Sequence, residues 1–464
     1  MLLFLESHLA VIIGVLLAVA AIAHMLQQRR APSSSSALSW LLAMILMPYV
    51  GIPLYIMLGG RKMARIARRK MDVQLNENHI LPLSQASSVD RALRSHNVPA
   101  AMLGNRIRFC RSGSDAYDCL VQLIEQAKES LYISTYVFAN DGAGRDIVDR
   151  LTRKAGQGVR VRLLLDGVGS LKTGSALFQP LARAGGKFAY FMPVFYHPLR
   201  GRTNLRNHRK IALADERLLM AGGANIADEY LNPDPLLQKW QDLSFAIEGP
   251  AVRPFVELFL SDWAFAGNEH LPIKDFADTL PDEAERQGIL QVVPSGPDCR
   301  HDGLYEAILS AVFAAERRLW IVTPYFVPDD ALTQGLAIAA RRGVDVRIVI
   351  PEKSNHFLAD LVRGIYLRSI QEAGASIMLY TDGMVHAKVM VMDDKLAMAG
   401  SANMDLRSLF LNYEVAVIAY SADEIKEIAS YIDYLTEKTV RGYPSAGMLR
   451  RLHEGIAQIV APLV

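Results

Sequence analysis

The feature that most restricts the fold of this chain is an internal repeat, in which three blocks of sequence occur twice in the same order. In each copy, a segment with helical spacing precedes an apolar segment rich in β-branched and aromatic residues. The spacing between copies shortens from block to block, which places the length differences in connecting loops. Corresponding positions are Tyr132 and Trp320, Gly158 and Gly343, and His208 and His386. The repeat predicts two halves built on one design.

The alternation of helices and strands in both copies predicts an α/β fold with a sheet in each half. Helices are predicted at Asp118–Ser130 and Leu304–Arg317, and strands at Leu131–Phe138, Gly158–Leu165, Leu319–Phe326 and Gly343–Ile350. A mixed polar stretch without periodicity before the first copy is interpreted as a linker. The expected organisation is an N-terminal segment (1–70), a linker (71–105), a first half (106–270), a connecting segment (271–290) and a second half (291–464).

The third block carries the polar residues that point to chemistry. The first copy contains His208, Lys210, Asp215, Gly222-Gly223 and Asn225, and the second contains His386, Lys388, Asp393, Gly400-Ser401 and Asn403, with identical spacing. One copy of so short a pattern arises by chance, whereas two copies at the same place in a repeat strongly indicate a functional site.

The spacing of histidine and lysine has a simple structural meaning. The segment His208–Leu213 is predicted to be a strand, in which residues two apart point to the same face. Lys210 is therefore expected beside His208, and Lys388 beside His386. The aspartate of each motif is expected to stabilise the following turn rather than to touch substrate. Two imidazoles, two ammonium groups and several neutral donors suit a phosphodiester, because the lysines neutralise charge in the transition state.

The pattern H-x-K-x4-D-x6-G-[GS]-x-N, present twice, resembles the signature of the phospholipase D superfamily. The resemblance implies two tandem α/β/α sandwich halves related by a pseudo-two-fold axis. It also implies a covalent phosphohistidine, with His208 as nucleophile and His386 as the general acid that protonates the leaving alkoxide. For either histidine alone, the alternative is a satisfied structural residue. The substrate-binding residues that the resemblance implies are Asn225, Ser401 and Asn403.

Two acids are candidates for orienting the histidines. A histidine nucleophile needs a partner on its other ring nitrogen, which fixes the tautomer and stabilises the imidazolium. Asp242 and Glu414 follow the two motifs in similar settings, Trp240-Gln-Asp and Asn412-Tyr-Glu. Related enzymes use an acid there, so both are expected to act through the histidines. The alternative is an ordinary exposed acid on a strand edge.

Two apolar runs near the N-terminus predict a membrane hairpin. Leu9–Leu26 and Leu38–Leu58 lack Asp, Glu, Lys and Arg, and a bilayer core needs about 20 apolar helical residues. A cleaved signal peptide is the weaker alternative, because no Lys or Arg precedes the first run and a second run follows. Arginine and lysine are more numerous after the second run than between the runs, which predicts a cytoplasmic catalytic part on a bacterial inner membrane.

The composition of the chain limits the kinds of ligand and binding partner that are expected. The formal net charge is only +2, so no global basic field indicates a nucleic-acid partner. The 3 cysteines are too few and too scattered for a disulfide framework or a zinc site. No metal and no cofactor are expected. The oligomeric state is open, with a homo-oligomer as one possibility.

Longer stretches are similar to bacterial cardiolipin synthases. They include Ala224–Leu231, Ser295-Gly-Pro297 and Thr323–Asp329, besides the predicted hairpin. The resemblance implies that two phosphatidylglycerol molecules are converted to cardiolipin and glycerol. Phosphatidylethanolamine as donor, a hydrolase of the same superfamily and a non-catalytic membrane scaffold are the alternatives. A nuclease is disfavoured by the net charge.

Two further features have open interpretations. Arginines around the first motif are expected either to attract anionic lipid head groups or to form a solvated face; they are Arg200, Arg202, Arg206 and Arg209. The C-terminal stretch Met448–Val464 has amphipathic helical spacing. It is expected either to close the core or to lie on the membrane.

Overall fold

The computed structural model describes residues 41, 42, 44, 45, 49, 51, 80–193, 205–234, 240–273, 288–299 and 301–459. The predicted span Leu9–Leu26 lies outside these residues, as does Leu38–Leu58 apart from six isolated positions. Within the described part, none of the helices combines the length and the hydropathy that crossing a membrane requires.

Strands and helices alternate along the described chain. The strands are β1 (Met102–Cys110), β2 (Ser130–Thr135), β3 (Arg160–Asp166), β4 (Lys187–Phe191), β5 (Ile211–Ala214), β6 (Leu218–Gly222), β7 (Trp240–Gln241), β8 (Ser244–Glu248), β9 (Gly288–Ser295), β10 (Arg318–Val322), β11 (Phe326–Val327), β12 (Asp345–Pro351), β13 (Ser376–Tyr380), β14 (Met384–Val385), β15 (Val389–Met392), β16 (Leu396–Gly400), β17 (Met404–Asp405), β18 (Glu414–Ala419) and β19 (Thr439–Arg441). The helices are α1 (Ser88–Ser95), α2 (Gly113–Gln126), α3 (Gly142–Gly156), α4 (Gln179–Arg183), α5 (Val252–Gly267), α6 (Gly303–Ala314), α7 (Asp330–Arg341), α8 (Phe357–Glu372), α9 (Leu406–Phe410), α10 (Ala422–Thr436) and α11 (Met448–Ile459).

The two halves have the same strand order. In the first half, neighbouring strands follow the order β1-β8-β6-β5-β2-β3-β4, and in the second the order β9-β18-β16-β15-β10-β12-β13, with β19 added at the edge. In both halves the last three strands of this order are parallel and the others pair antiparallel. The repeat seen in the sequence is therefore a repeat of topology, and the prediction of two tandem α/β halves is confirmed.

The half-sheets are joined edge to edge into one sheet of 15 strands. Strands β1 and β9 pair antiparallel at the seam, with Met102 opposite Leu290 and Asn105 opposite Gly288. The strand orders read outward from this pair are equivalent, as a pseudo-two-fold axis through the seam requires. The sequence predicted a sheet in each half, and the pairing of the two edge strands makes them continuous.

Helices cover both faces of the sheet. On one face, α5 and α10 pack on strands of both halves and share a single hydrophobic cluster that includes Phe255, Trp263 and Tyr431. The opposite face has a separate cluster in each half, built with α2, α3 and α4 in the first and with α6, α7 and α8 in the second. Each half is therefore a three-layer sandwich, and the shared cluster fixes one half against the other.

The range 71–105, predicted as a linker, contains the helix α1 and the beginning of β1. Ser87 caps α1 by accepting a hydrogen bond from the Asp90 backbone N–H at 3.0 Å. The buried Asp90 carboxylate accepts from Gln291 Nε2 at 3.0 Å and is paired with Arg94. These contacts attach the segment before the first half to strand β9 of the second half.

Candidate active site

Both His-x-Lys segments lie just before the chain enters a strand of the sheet. The prediction of a strand over His208–Leu213 is wrong for its first three residues, because β5 begins at Ile211. The second motif behaves alike, with β15 beginning at Val389. The physical reason is pairing with the other half. The backbone N–H of His208 donates to the Tyr413 carbonyl at 2.9 Å, and that of His386 donates to the Gln241 carbonyl at 2.6 Å.

This backbone exchange brings each histidine to the acid of the opposite half. Strand β14, before His386, pairs in parallel with β7, which ends just before Asp242. His386 Nδ1 lies 2.7 Å from Asp242 Oδ2, and His208 Nδ1 lies 3.2 Å from Glu414 Oε1. Both acids are buried rather than exposed on a strand edge. Since the sequence copies are symmetric, either pairing was compatible with the spacing, and the structure has the crossed one.

The two lysines lie beside their histidines, as their spacing predicted. Lys210 Nζ donates to the His208 carbonyl at 2.7 Å, and Lys388 Nζ contacts the His386 carbonyl and lies 2.6 Å from Nδ1 of its ring. Both lysines are buried. Two lysine amino groups are therefore held at the point where the halves meet, which suits an anionic substrate.

Aromatic rings line the histidines, and sequence reasoning missed them. The Tyr136 ring lies 4.0 Å from the His208 ring, and Lys210 Nζ lies 5.6 Å from the Tyr136 centroid. On the other side, Tyr230 and Trp240 lie 5.0 and 5.5 Å from His386. Trp240 is two residues before Asp242, so the Trp-Gln-Asp sequence was a signal from which this ring could have been predicted near the site. These rings pack against the imidazoles and restrict their orientation.

The glycine-rich ends of the motifs support the acids. Ser401 is fully buried, and its hydroxyl donates to Glu414 Oε2 at 2.5 Å. Gly223 stands at the equivalent position, where a Cβ atom would fall well inside contact distance of Asp242 Oδ1. The longer glutamate is therefore held by a serine, and the shorter aspartate occupies the volume of the missing side chain. The Ser401 hydroxyl is thus engaged in an internal contact, while its expected contact with substrate stays a prediction.

The motif asparagines are buried inside their own halves. Asn225 Oδ1 accepts from the backbone N–H of Val137, next to Tyr136, at 3.1 Å. Asn403 Nδ2 donates to Ser408 Oγ at 3.2 Å. Both side chains therefore fix loops beside the site, while their expected contact with substrate stays a prediction.

The motif aspartates anchor strands. Asp215 accepts hydrogen bonds from the backbone N–H groups of Lys128, Glu129 and Ser130, between 2.7 and 2.9 Å, at the beginning of β2. Asp393 does the same for three successive residues that lead into β10. Burial alone would raise the pKa of Asp393, but the three backbone donors lower it. Asp215 and Asp393 have positive φ angles of 53 and 51°.

Of the four arginines around the first motif, the structure describes Arg206 and Arg209. Both are buried, so the expected attraction of lipid head groups and the expected solvated face are wrong for these two. Arg209 is fully buried and pairs with Asp262 at 3.0 Å and with Asp298 at 3.3 Å. Its Nε also donates to the Glu414 carbonyl at 3.2 Å. Arg206 is buried and pairs with Asp166. These acids are distant in sequence, which is why the arginines looked solvated; Arg200 and Arg202 lie outside the described residues.

Burial and the neighbouring ammonium groups set the protonation of the histidines. Burial, followed by Lys388, lowers the pKa of His386 to about 3. Burial and Lys210 lower the pKa of His208, while Glu414 opposes them. Burial also lowers the pKa of Lys388 to about 7. Both imidazoles are therefore neutral at pH 7 without substrate, and a bound phosphodiester anion would raise these values by favouring the charged forms.

The comparison with protein families decides what this site belongs to. The family described as cardiolipin synthase, PLD-like domain, matches residues 120–263 and 308–436, more than half of the chain. The chain belongs to the cardiolipin synthase family. Each matched range contains one His-x-Lys motif of the site. A second family, described as phospholipase D-nuclease N-terminal, matches residues 16–60.

Individual relatives agree with membership of the cardiolipin synthase family. Cardiolipin synthase 1 of Bacillus anthracis is 31% identical over 463 residues, with 93% of this chain and 90% of the relative covered. The major cardiolipin synthase ClsA of Bacillus subtilis strain 168 is 30% identical, with 98% of both chains covered. The crystal structure of phosphatidylserine synthase from Haemophilus influenzae Rd KW20 matches with a TM-score of 0.60 at 18% identity, over 81% of this chain and 98% of that one. This last likeness concerns the fold.

Proposed function

We propose that this member of the cardiolipin synthase family transfers a phosphatidyl group from one phosphatidylglycerol to another, giving cardiolipin and glycerol. The observation that carries the proposal is the pair of histidine–carboxylate contacts made across the halves, at 3.2 and 2.7 Å. The names of the relatives support cardiolipin as the product.

In the first step, His208 Nε2 attacks the phosphorus of the donor lipid. The bond from phosphorus to the glycerol head-group oxygen breaks, and His386 gives that oxygen a proton, so free glycerol leaves. The Nδ1 atoms face Glu414 and Asp242, so the chemistry is assigned to the Nε2 atoms; His386 Nε2 lies 3.1 Å from Lys388 Nζ. A phosphatidyl group is then bound covalently to His208.

In the second step, the terminal hydroxyl of a second phosphatidylglycerol gives its proton to His386 while its oxygen attacks the phosphorus. The phosphorus–nitrogen bond breaks, and His208 returns to its neutral state. One phosphodiester is exchanged for another, so no nucleotide is needed. The lysines would balance the negative charge on the phosphoryl oxygens, and no cofactor takes part in the proposed cycle.

The proposed roles of the motif residues follow from their contacts. Asp242 and Glu414 hold the imidazoles and stabilise their protonated forms. We assign Ser401 to positioning Glu414, since its hydroxyl already donates to that carboxylate. Asp215 and Asp393 act by anchoring strands.

One observation supports the assignment of His208 as nucleophile, and another opposes it. The His208 side chain is 18% exposed and that of His386 8%, which favours direct attack by His208. In the substrate-free protein, however, burial and Lys388 hold the pKa of His386 far below the value a general acid needs. Our mechanism therefore requires the bound lipid phosphate to raise the pKa of His386.

We also propose that Leu9–Leu26 and Leu38–Leu58 form a membrane hairpin, with the two halves on the cytoplasmic side of a bacterial inner membrane. The match of residues 16–60 to an N-terminal family of phospholipase D proteins supports a distinct N-terminal segment. The ranges 1–70, 71–105, 106–270, 271–290 and 291–464 are the proposed domain limits. A homo-oligomer stays a prediction.

The test is incubation of the purified full chain with phosphatidylglycerol in detergent, without nucleotide or added metal, followed by mass spectrometry of the lipids. Cardiolipin and glycerol in equal amounts are expected from the wild type and not from His208→Ala. Rapid acid-free quenching and peptide mapping should find the phosphatidyl group on His208.

Other products would change the conclusion in defined ways. Phosphatidic acid without cardiolipin would identify a hydrolase and would refute the transferase proposal. Cardiolipin formed only when phosphatidylethanolamine is also supplied would change the donor. A phosphatidyl group on His386 would exchange the roles of the two histidines.

A further inference from the structure

The C-terminal helix α11 turns its apolar side away from the protein. Met448, Leu449 and Leu452 are 90, 74 and 60% exposed, although they are the large apolar residues at the beginning of the helix. A surface helix normally buries such residues against the core and exposes its charges. The first turns of the helix are therefore inverted with respect to the ordinary amphipathic arrangement.

The side that faces the protein is polar. Glu454 is fully buried, accepts from Arg450 Nε at 3.0 Å and pairs with Arg368 of α8. Gly364 of α8 leaves room for this carboxylate, because a Cβ atom there would lie 2.6 Å from Glu454 Oε1. Ala457 is also buried against the protein. An ion pair on the inner side thus determines which face of the helix is presented outward.

The outer surface of α11 is apolar and cationic. Arg451 is exposed beside Leu452, and the Arg450 side chain is 47% exposed. The sequence from Met448 to Ile459 contains a single acidic residue, Glu454, and that carboxylate is buried in the ion pair with α8. An apolar strip bordered by positive charge fits an anionic bilayer, in which negative head groups lie over apolar acyl chains.

We propose that α11 docks on an anionic lipid bilayer through Met448, Leu449 and Leu452, held in that orientation by the buried Glu454. A second copy of the chain fits less well, because two such faces would bring arginine against arginine without an acid between them. The inference rests on the proposed function, whose substrates are anionic lipids. The helix lies beyond residue 436, where the family match ends, and the docking adds a second contact besides the proposed hairpin.

The experiment places a fluorophore on the helix of the full chain. Leu452→Cys is labelled with an environment-sensitive nitrobenzoxadiazole group in a Cys299→Ser background, since Cys110 and Cys119 are buried. The labelled protein is reconstituted into vesicles with or without phosphatidylglycerol, and with or without lipids that carry a quencher on the acyl chain. Leu171→Cys, at an apolar position in the first half that is 55% exposed, is the matched control.

In phosphatidylglycerol vesicles, emission from the label at position 452 should shift to the blue and be quenched by the acyl-chain quencher, whereas the control label should show neither effect. Both effects should weaken in zwitterionic vesicles and at high salt, since the arginines contribute through charge. Equal behaviour of the two labels would overturn the proposal. A blue shift without lipid quenching would mean that protein covers the helix, and would overturn it as well.

A double variant separates docking from chemistry. Leu449→Ser with Leu452→Ser removes apolar surface and leaves Glu454 and its partners in place. Activity on phosphatidylglycerol in vesicles should fall about tenfold, because membrane affinity scales with apolar area. Activity on the same lipid in detergent micelles should be unchanged. An equal loss of activity in both assays would refute docking. If the label at position 452 shows the expected blue shift and quenching but the wild type forms no cardiolipin, only the proposed function is refuted.

Discussion

The two halves of the molecule have the same strand order but different active-site chemistry. Around His208, the acid is a glutamate that a serine holds at 2.5 Å, and the next residue is the buried Arg209. Around His386, the acid is an aspartate packed against a glycine, and the next residue is an alanine. Apart from the added edge strand β19, the strand order is the same in both halves. The difference therefore lies in the side chains around the two histidines, and it agrees with separate tasks for them in the proposed reaction.

Replacing either histidine should have the largest effect on turnover and should show whether the two halves differ in role. His208→Asn and His386→Asn should both reduce turnover of phosphatidylglycerol by roughly 10³-fold or more. With a phosphatidyl ester of p-nitrophenol, whose leaving group needs no proton, His386→Asn should recover formation of the covalent intermediate, while His208→Asn should not. Release of p-nitrophenol in single-turnover assays measures this step. Recovery in the His208 variant instead would reverse the assignment.

Exchanging the small residues of the two motifs should have an intermediate effect. Gly223→Ser puts a Cβ atom against Asp242 Oδ1 and displaces the partner of His386, so kcat should fall about 100-fold, as for a misplaced catalytic group. Ser401→Gly removes one hydrogen bond to Glu414, and a loss of about tenfold is expected. Steady-state kinetics with both variants checks the order. A greater loss in Ser401→Gly would show that the serine does more than hold the glutamate.

The smallest effect is expected on the stability of the folded protein at acid pH. The pKa of His386 is about 3 in the folded protein, below its ordinary value of 6.5, so the unfolded chain binds more protons between these values. Stability that is present above pH 6.5 is therefore lost as the pH falls toward 3, by about 2 kcal/mol between pH 7 and pH 5. His386→Asn should reduce the difference in melting temperature between these pH values.

The matched control is His453→Asn, which changes an exposed histidine of α11 and should leave the difference as in the wild type. An unchanged difference in His386→Asn would mean that His386 protonates normally in the folded protein.

Much of the fold followed from the sequence because the repeat preserves the order of elements. The motif spacing also selected both histidines and both lysines, and their similar sequence settings selected the two acids; the structure brings all six residues together. The crossing of the acids was not predictable, since it depends on contacts such as Asn207 beside Tyr413, between residues of opposite halves. The burial of Arg209 was hidden for the same reason, because Asp262 and Asp298 are recognisable as partners only in three dimensions.

The crossed pairing has a consequence for biosynthesis. A chain still on the ribosome that has emerged only as far as β17 carries His208 without Glu414, and His386 is then the only complete dyad. A fragment that ends before β14 has no complete dyad at all. In the proposed mechanism, phosphodiester chemistry therefore begins only when translation has passed β18 and both halves have closed on each other, and an unfinished chain is expected to be catalytically silent.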